Sequence, residues 1–160
     1  LGALEMVSDI RSDRLITGVT QMANVYQVKV NIADHPSPIK APSRIFRCLA
    51  DAGISVDLIN VHPEMVVFTV NEEDGQKSLD VLSEHGFQFS MMPGCAKVSV
   101  VGGGMAGMPG VMASICEALN EEEIPILQSA DSHTTIWCLV KNEDMKRAVR
   151  ALHDKFGLDK

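Results

Sequence analysis

The feature that most constrains this chain is an internal repeat without a gap. Displaced by 70 residues, the sequence aligns with itself from Tyr26 to Leu82. Val28 and Val30 fall on Val98 and Val100, and Ile45, Leu49 and Ile54 fall on Ile115, Leu119 and Ile124. Val70, Glu73, Asp74 and Leu82 fall on Val140, Glu143, Asp144 and Leu152. Identities are few, but apolar class is kept along most of the register, as expected when a duplicated unit conserves its buried positions. A chain of 160 residues then reads as two small units of one design.

Each copy carries the same series of signals. Tyr26 to Ile32 alternates apolar and polar residues, the period of a half-buried strand, and Lys97 to Val101 is its counterpart. A turn-rich loop follows, then apolar residues at helical spacing: Ile45, Phe46 and Leu49 in copy one, Val111, Ile115 and Leu119 in copy two. Gly53 supplies a C-terminal cap to the first helix, and Pro125 bars the second from continuing. Two short strands come next, Val56–Val61 with Met65–Val70, and Ile126–Ala130 with Thr134–Val140. Their links are too short for a crossover helix, so both pairs are antiparallel hairpins. Second helices at Glu73–Glu84 and Glu143–Phe156 open with acids suited to a helix N-terminus.

The order β-α-β-β-α-β predicts an α+β fold of two ferredoxin-like units. Copy one has a fourth strand at Phe87–Met91, whereas copy two ends soon after its second helix. The strand-like segment Arg14–Thr20 belongs to neither copy, so it is expected to complete the second sheet, with the first unit inserted within the second. The expected division is 21–93 for unit one and 14–20 with 94–160 for unit two, residues 1–13 being a lead-in. Leu1 in place of Met fits a piece of a longer chain or a processed form.

Charge and composition narrow the function classes. A net charge of −7 without a basic run argues against a nucleic-acid partner. Apolar stretches fall short of the roughly 20 residues of a membrane span, and no signal peptide is evident, which points to a cytoplasmic protein. Cys48, Cys95, Cys116 and Cys138 lie far apart without a C-x-x-C pair and read as buried, reduced thiols; the five histidines are equally scattered, so no metal site is expected.

Gly102 to Gly107 spells G-x-G-x-x-G between a strand and a helix, the string of a dinucleotide site. The following strand turns straight into an antiparallel hairpin, however, and copy one has the same layout without the glycines. A second reading is that Met108-Pro109-Gly110-Val111 leads into a helix whose free N–H groups receive a carboxylate. A third is a tight connection that binds nothing.

Tandem units of this kind with Pro109-Gly110-Val111 at a helix start resemble ACT domains. Ile16–Val19, Ile54–Ile59, Cys95–Ser99, Gly104-Met105, Ile126–Ser132, and Ala151–His153 followed by Phe156 resemble, in this order, the C-terminal regulatory part of aspartate kinases of the Bacillus type. The resemblance covers nearly the whole chain from about residue 14. It implies a parent enzyme that phosphorylates the side-chain carboxylate of L-aspartate, with ATP and Mg bound by a kinase half outside this chain. The chain itself would have no catalytic residue, no cofactor and no metal. It would bind an end-product amino acid (lysine, threonine or diaminopimelate) between ACT units, homodimerise through them, and act on the kinase domain or subunit.

The resemblance also implies where the effector sits: against the loop before the first helix and the second strand. In copy one these are Asp34, Ser37 and Ile39, with Asp57 and Asn60; Asp57 would face the effector's amino group. In copy two they are Met108, Pro109, Gly110 and Val111, with Gln128, Ser129 and Asp131. The copy-one loop departs from the pattern, because it lacks the glycine and carries Pro36, Pro38 and Pro42. The rival readings are a ligand-free ACT dimerisation module and a nucleotide-binding domain using Gly102 to Gly107.

Overall fold

The computed structural model describes residues 16–103 and 109–158; the expected lead-in 1–13, the start of the strand expected at Arg14, and Gly104 and Gly107 lie outside the described residues. Its elements are β1 (Ile16–Asn31), α1 (Ala41–Asp51), β2 (Asp57–Val61), β3 (Met65–Asn71), α2 (Gly75–Glu84), β4 (Gln88–Gly102), α3 (Val111–Glu121), β5 (Gln128–Asp131), β6 (Thr135–Lys141) and α4 (Met145–Phe156). Short 3-10 turns, Glu72–Asp74 and Asn142–Asp144, precede α2 and α4. The repeat survives in three dimensions: α3, β6 and the second 3-10 turn begin and end 70 residues after α1, β3 and the first.

Two compact units result. One comprises Asn24–Cys95; the other takes the described residues up to Ala23 and from Ala96 onward. The first has strand order β2-β3-β1-β4, and the second β5-β6-β4-β1. Read by role, both are second, third, first, fourth, the ferredoxin-like order, and both are α+β. In the second unit the fourth role falls to the start of β1. There the Thr17 hydroxyl donates to the Val101 carbonyl at 3.3 Å, and the Thr20 and Ser99 hydroxyls pair. Copy one is thus inserted within copy two. Among the described residues the pairings β1 with β3, β2 with β3 and β5 with β6 are antiparallel, unlike the parallel sheet of a dinucleotide fold.

The structure departs from the pattern reading in two places. Arg14–Thr20 and Tyr26–Ile32 were expected as separate strands, as were Phe87–Met91 and Lys97–Val101. Each pair is instead one long strand. Gln21 to Ala23 contain no breaker, and Pro93, although it removes one donor, does not end β4. A left-handed residue marks the passage from unit to unit in each: Asn24 (φ 63°) in β1 and Gly94 (φ 68°) in β4, again 70 apart.

The second departure concerns the end of α3. Gly53 (φ 76°) caps α1 as expected. At the matching position it is Glu123 (φ 55°), and not Pro125, that closes α3. The bond from Ile54 N–H to the Leu49 carbonyl (3.0 Å) is repeated from Ile124 N–H to the Leu119 carbonyl (2.9 Å).

Each unit has its own core, built from equivalent positions. Val28, Val30, Ile45, Leu49, Val66, Phe68, Val70 and Leu82 fill the first; Val98, Val100, Ile115, Leu119, Ile136, Cys138, Val140 and Leu152 fill the second. Burying such side chains stabilises each unit by about 1.5–3 kcal/mol per residue. The strands are not the simple half-buried kind, since Gln27 and Thr69 are buried beside these apolar residues.

Candidate functional site

In each unit the chain leaving the central strand is tied to the neighbouring hairpin by one conserved bond. Ile32 N–H donates to the Glu64 carbonyl (3.0 Å), and Gly102 N–H to the Thr134 carbonyl (2.8 Å), the same pair 70 residues on. In the first unit this bond fixes the strand-to-helix loop beside the tip of the edge hairpin, so loop and edge strand meet at one end of the sheet.

In the first unit the loop is held by its own polar groups. Asn31 Oδ1 accepts the Ala33 N–H (2.9 Å) while its amide donates to Asp34 (3.3 Å). The Ser37 carbonyl accepts N–H groups of Lys40 (3.1 Å) and Ala41 (3.0 Å), so the turn runs into α1 with Pro42 in its first turn, where a missing donor costs nothing. Asp34 is exposed, Ser37 half-buried, and Ile39 stands almost free in solvent at 94% exposure. On edge strand β2, Asn60 pairs with Val67, close to the hairpin tip. Asp57 pairs with Thr69 at the other end of the strand, roughly 10 Å from Asn60 along the chain direction. Its carboxylate accepts the Leu58 N–H (3.2 Å), across the irregular step where Leu58 takes φ 48°. The loop residues and Asn60 are thus at one end, Asp57 at the other.

In the second unit Pro109 and Gly110 are exposed ahead of α3, and Gly110 adopts φ 92°, a conformation that favours glycine. The Gly110 carbonyl accepts the Ser114 N–H (2.9 Å), and Val111 opens the helix half-buried. Met108 lies outside the described residues. On edge strand β5, Gln128 is half-buried, and Ser129 and Asp131 are exposed.

Two features had no place in the sequence reading. The first is an apolar character at the β2 edge: Ile59, Val61 and Met65 are exposed, as is Ile39 on the loop before α1. The corresponding residues of the second unit, Ser129, Asp131, Thr135 and Pro109, are mostly polar. The second is an open groove of about 620 Å³ on the helical side of the first unit, lined by His35, Ser43, Arg44, Arg47, Cys48, Asp51, His85 and Phe87. Arg44 and Arg47, three apart on one face of α1, were its only signal in the sequence.

Burial raises the Cys48 thiol above its ordinary value, and burial with the neighbouring Cys116 pushes Cys138 up to about 12. Cys48, Cys95 and Cys138 are buried, but Cys116 is exposed, contrary to the expectation that all four are core. It follows the buried Ile115 by one residue, which turns it about 100° off the stripe of Ile115, Ala118 and Leu119. Among the described residues no helix is long and apolar enough to cross a membrane.

Comparison with known proteins agrees with this architecture. Residues 91–154 match the ACT domain family model. Aspartokinase 1 of Bacillus subtilis is 46% identical over 92% of the chain, which spans 36% of that protein's length. The ligand-free regulatory subunit of aspartate kinase from Thermus thermophilus superposes with a TM-score of 0.79 at 30% identity, covering 88% of this chain and 97% of that one. A crystal structure of aspartokinase alpha and beta subunits gives 0.80 at 32% identity, covering 89% and 99%. The chain belongs to the aspartate kinase family, as a regulatory part built of two ACT units.

Proposed function

We propose that this chain senses an end-product amino acid and transmits its binding to an aspartate kinase catalytic domain or subunit, the parent enzyme being the one that phosphorylates L-aspartate. The observation that carries the reading is the edge of the first unit. Strand β2 exposes Ile59 and Val61 beside Met65, and the fixed loop adds Ile39. An unpaired edge with apolar side chains is a surface that a second copy can cover. Pairing there buries the loop and Asn60 together, and creates a closed place for an effector's carboxylate and amino groups. Lysine, threonine and diaminopimelate have the charges such a place accepts, with the second unit's Gly110, Gln128 and Asp131 as its equivalents. An effector controls the kinase only by its difference in affinity between two packings of the assembly.

The test is a thermal-shift series of the chain with lysine, threonine, methionine and meso-diaminopimelate. A ligand at 100 times its dissociation constant adds about 2.7 kcal/mol, a rise of several degrees. A selective rise with one amino acid supports the sensor and names its effector. No rise with any of them favours a ligand-free dimerisation module.

A further inference from the structure

We propose that the groove on the helical side of the unit Asn24–Cys95 is a second binding site, for a small organic anion carrying a carboxylate or phosphate group. It is distinct from the edge-strand site and lies between α1 and the C-terminal end of α2. Its volume of about 620 Å³ is that of a metabolite pocket.

The donors converge from two segments, α1 and the loop before it, and a third segment supplies the His85 ring. Among the described residues the Arg44 guanidinium has no ion-pair partner. Arg47 has only Asp51, at 3.8 Å with both side chains largely in solvent, a weak pair that an incoming anion can displace. A guanidinium presents its N–H groups as a fork matching carboxylate and phosphate oxygens. The His35 ring is fixed twice over: Nδ1 accepts the Ser37 N–H at 2.9 Å, and the ring stacks on Phe87 at 5.6 Å and 18°. That acceptor role leaves the proton on Nε2, so His35 offers an N–H donor. The His85 Nδ1 donates to the Val81 carbonyl at 2.9 Å, which holds its ring in place at the other side. Phe87 and the buried Cys48 give a carbon skeleton an apolar floor.

The second unit is an internal control. A groove of about 260 Å³ overlaps the matching place, with Ala118, Glu121 and Lys155 at the positions of Cys48, Asp51 and His85, beside Glu122, Ala151 and Asp154. Arg47 is replaced there by Glu117, which pairs with Lys155 at 3.3 Å. The same backbone therefore carries an acidic groove, and the cationic one is not a by-product of the fold. In a chain of net charge −7 it also stands against the prevailing sign.

The test is a titration of the 160-residue chain with inorganic phosphate and, separately, with citrate, at constant ionic strength set by sodium chloride. Histidine ring and arginine Nε signals are followed by NMR. The His35, His85 and Arg44 signals should move along a saturating curve with at least one anion. Arg44→Gln combined with Arg47→Gln should raise the dissociation constant at least tenfold, and Glu117→Gln should leave it within twofold. Both arginines are exposed, so the double variant keeps its amide spectrum. Saturation with phosphate points to a phosphate ester, and saturation with citrate alone to a polycarboxylate. Shifts that never saturate, that chloride reproduces, or that persist unchanged in the double variant overturn the proposal.

Discussion

The two units share their order of elements and most of the 70-residue register but fill it differently, and two of the differences come as paired changes. In the first unit the Tyr26 ring lies over Gly75, where a Cβ would overlap it. In the second the same two positions are Ala96 and Met145, the small residue now on the strand and the large one on the helix, packed against the core. The first unit places Phe46 edge-on to Phe68, ring centres 5.8 Å apart; the second has Cys116 and Cys138 at those positions. What the repeat preserves is where volume is buried and where the backbone turns. Which side chain supplies the volume is exchangeable, provided its partner changes too.

The largest test of that contrast is at Phe68, fully buried in the first core. Phe68→Ala should cost about 3–5 kcal/mol, whereas Cys138→Ala at the equivalent position should cost about 1. Equal costs in urea denaturation would mean that the aromatic pair is not what packs the first unit.

The Tyr26 and Gly75 exchange is the next. Gly75→Met should destabilise by about 1–3 kcal/mol, because the helix N-terminus cannot move off the ring without disturbing its 3-10 lead-in. Adding Tyr26→Ala, which recreates the pairing of the second unit, should recover at least half of that loss. A double-mutant cycle with additive costs would show that the two positions are not coupled.

Much of this architecture is legible in the sequence. The displacement of 70 held for Val28 and Val98 as for Leu82 and Leu152, because buried apolar positions are the part of a sequence that duplication cannot change freely. The borrowed strand was legible from its lack of a partner in copy two. The continuity of β1 and β4 was not. Asn24 offers no period to follow, and Pro93-Gly94 reads as a turn although the chain stays extended through it. At the candidate site, Asn60 and the Asp34 loop were joined by likeness and share one end of the sheet. Asp57 required the strand register to be seen apart from them. Of the cationic groove only Arg44 and Arg47 leave a trace, three apart on one helix; His35 and His85 belong to other segments, and polar residues there follow no period.

The smallest expected effect isolates the backbone from the side chains. Gly53 and Glu123 occupy the same left-handed position after their helices, at φ 76° and 55°. A left-handed conformation costs a residue with a Cβ about 1 kcal/mol, which glycine escapes, although glycine also loses more freedom on folding. Glu123→Gly should therefore raise stability by up to about 1 kcal/mol, and Gly53→Glu should lower it by a similar amount. Space is not the obstacle at Gly53, where a Cβ would meet only the Lys77 amine at 3.8 Å. Opposite signs in the two variants, measured by chemical denaturation, would assign the effect to dihedral strain. A loss in both would mean instead that the Glu123 side chain makes a contact worth more than its strain, and that the two helix ends, alike in geometry, are held by different forces.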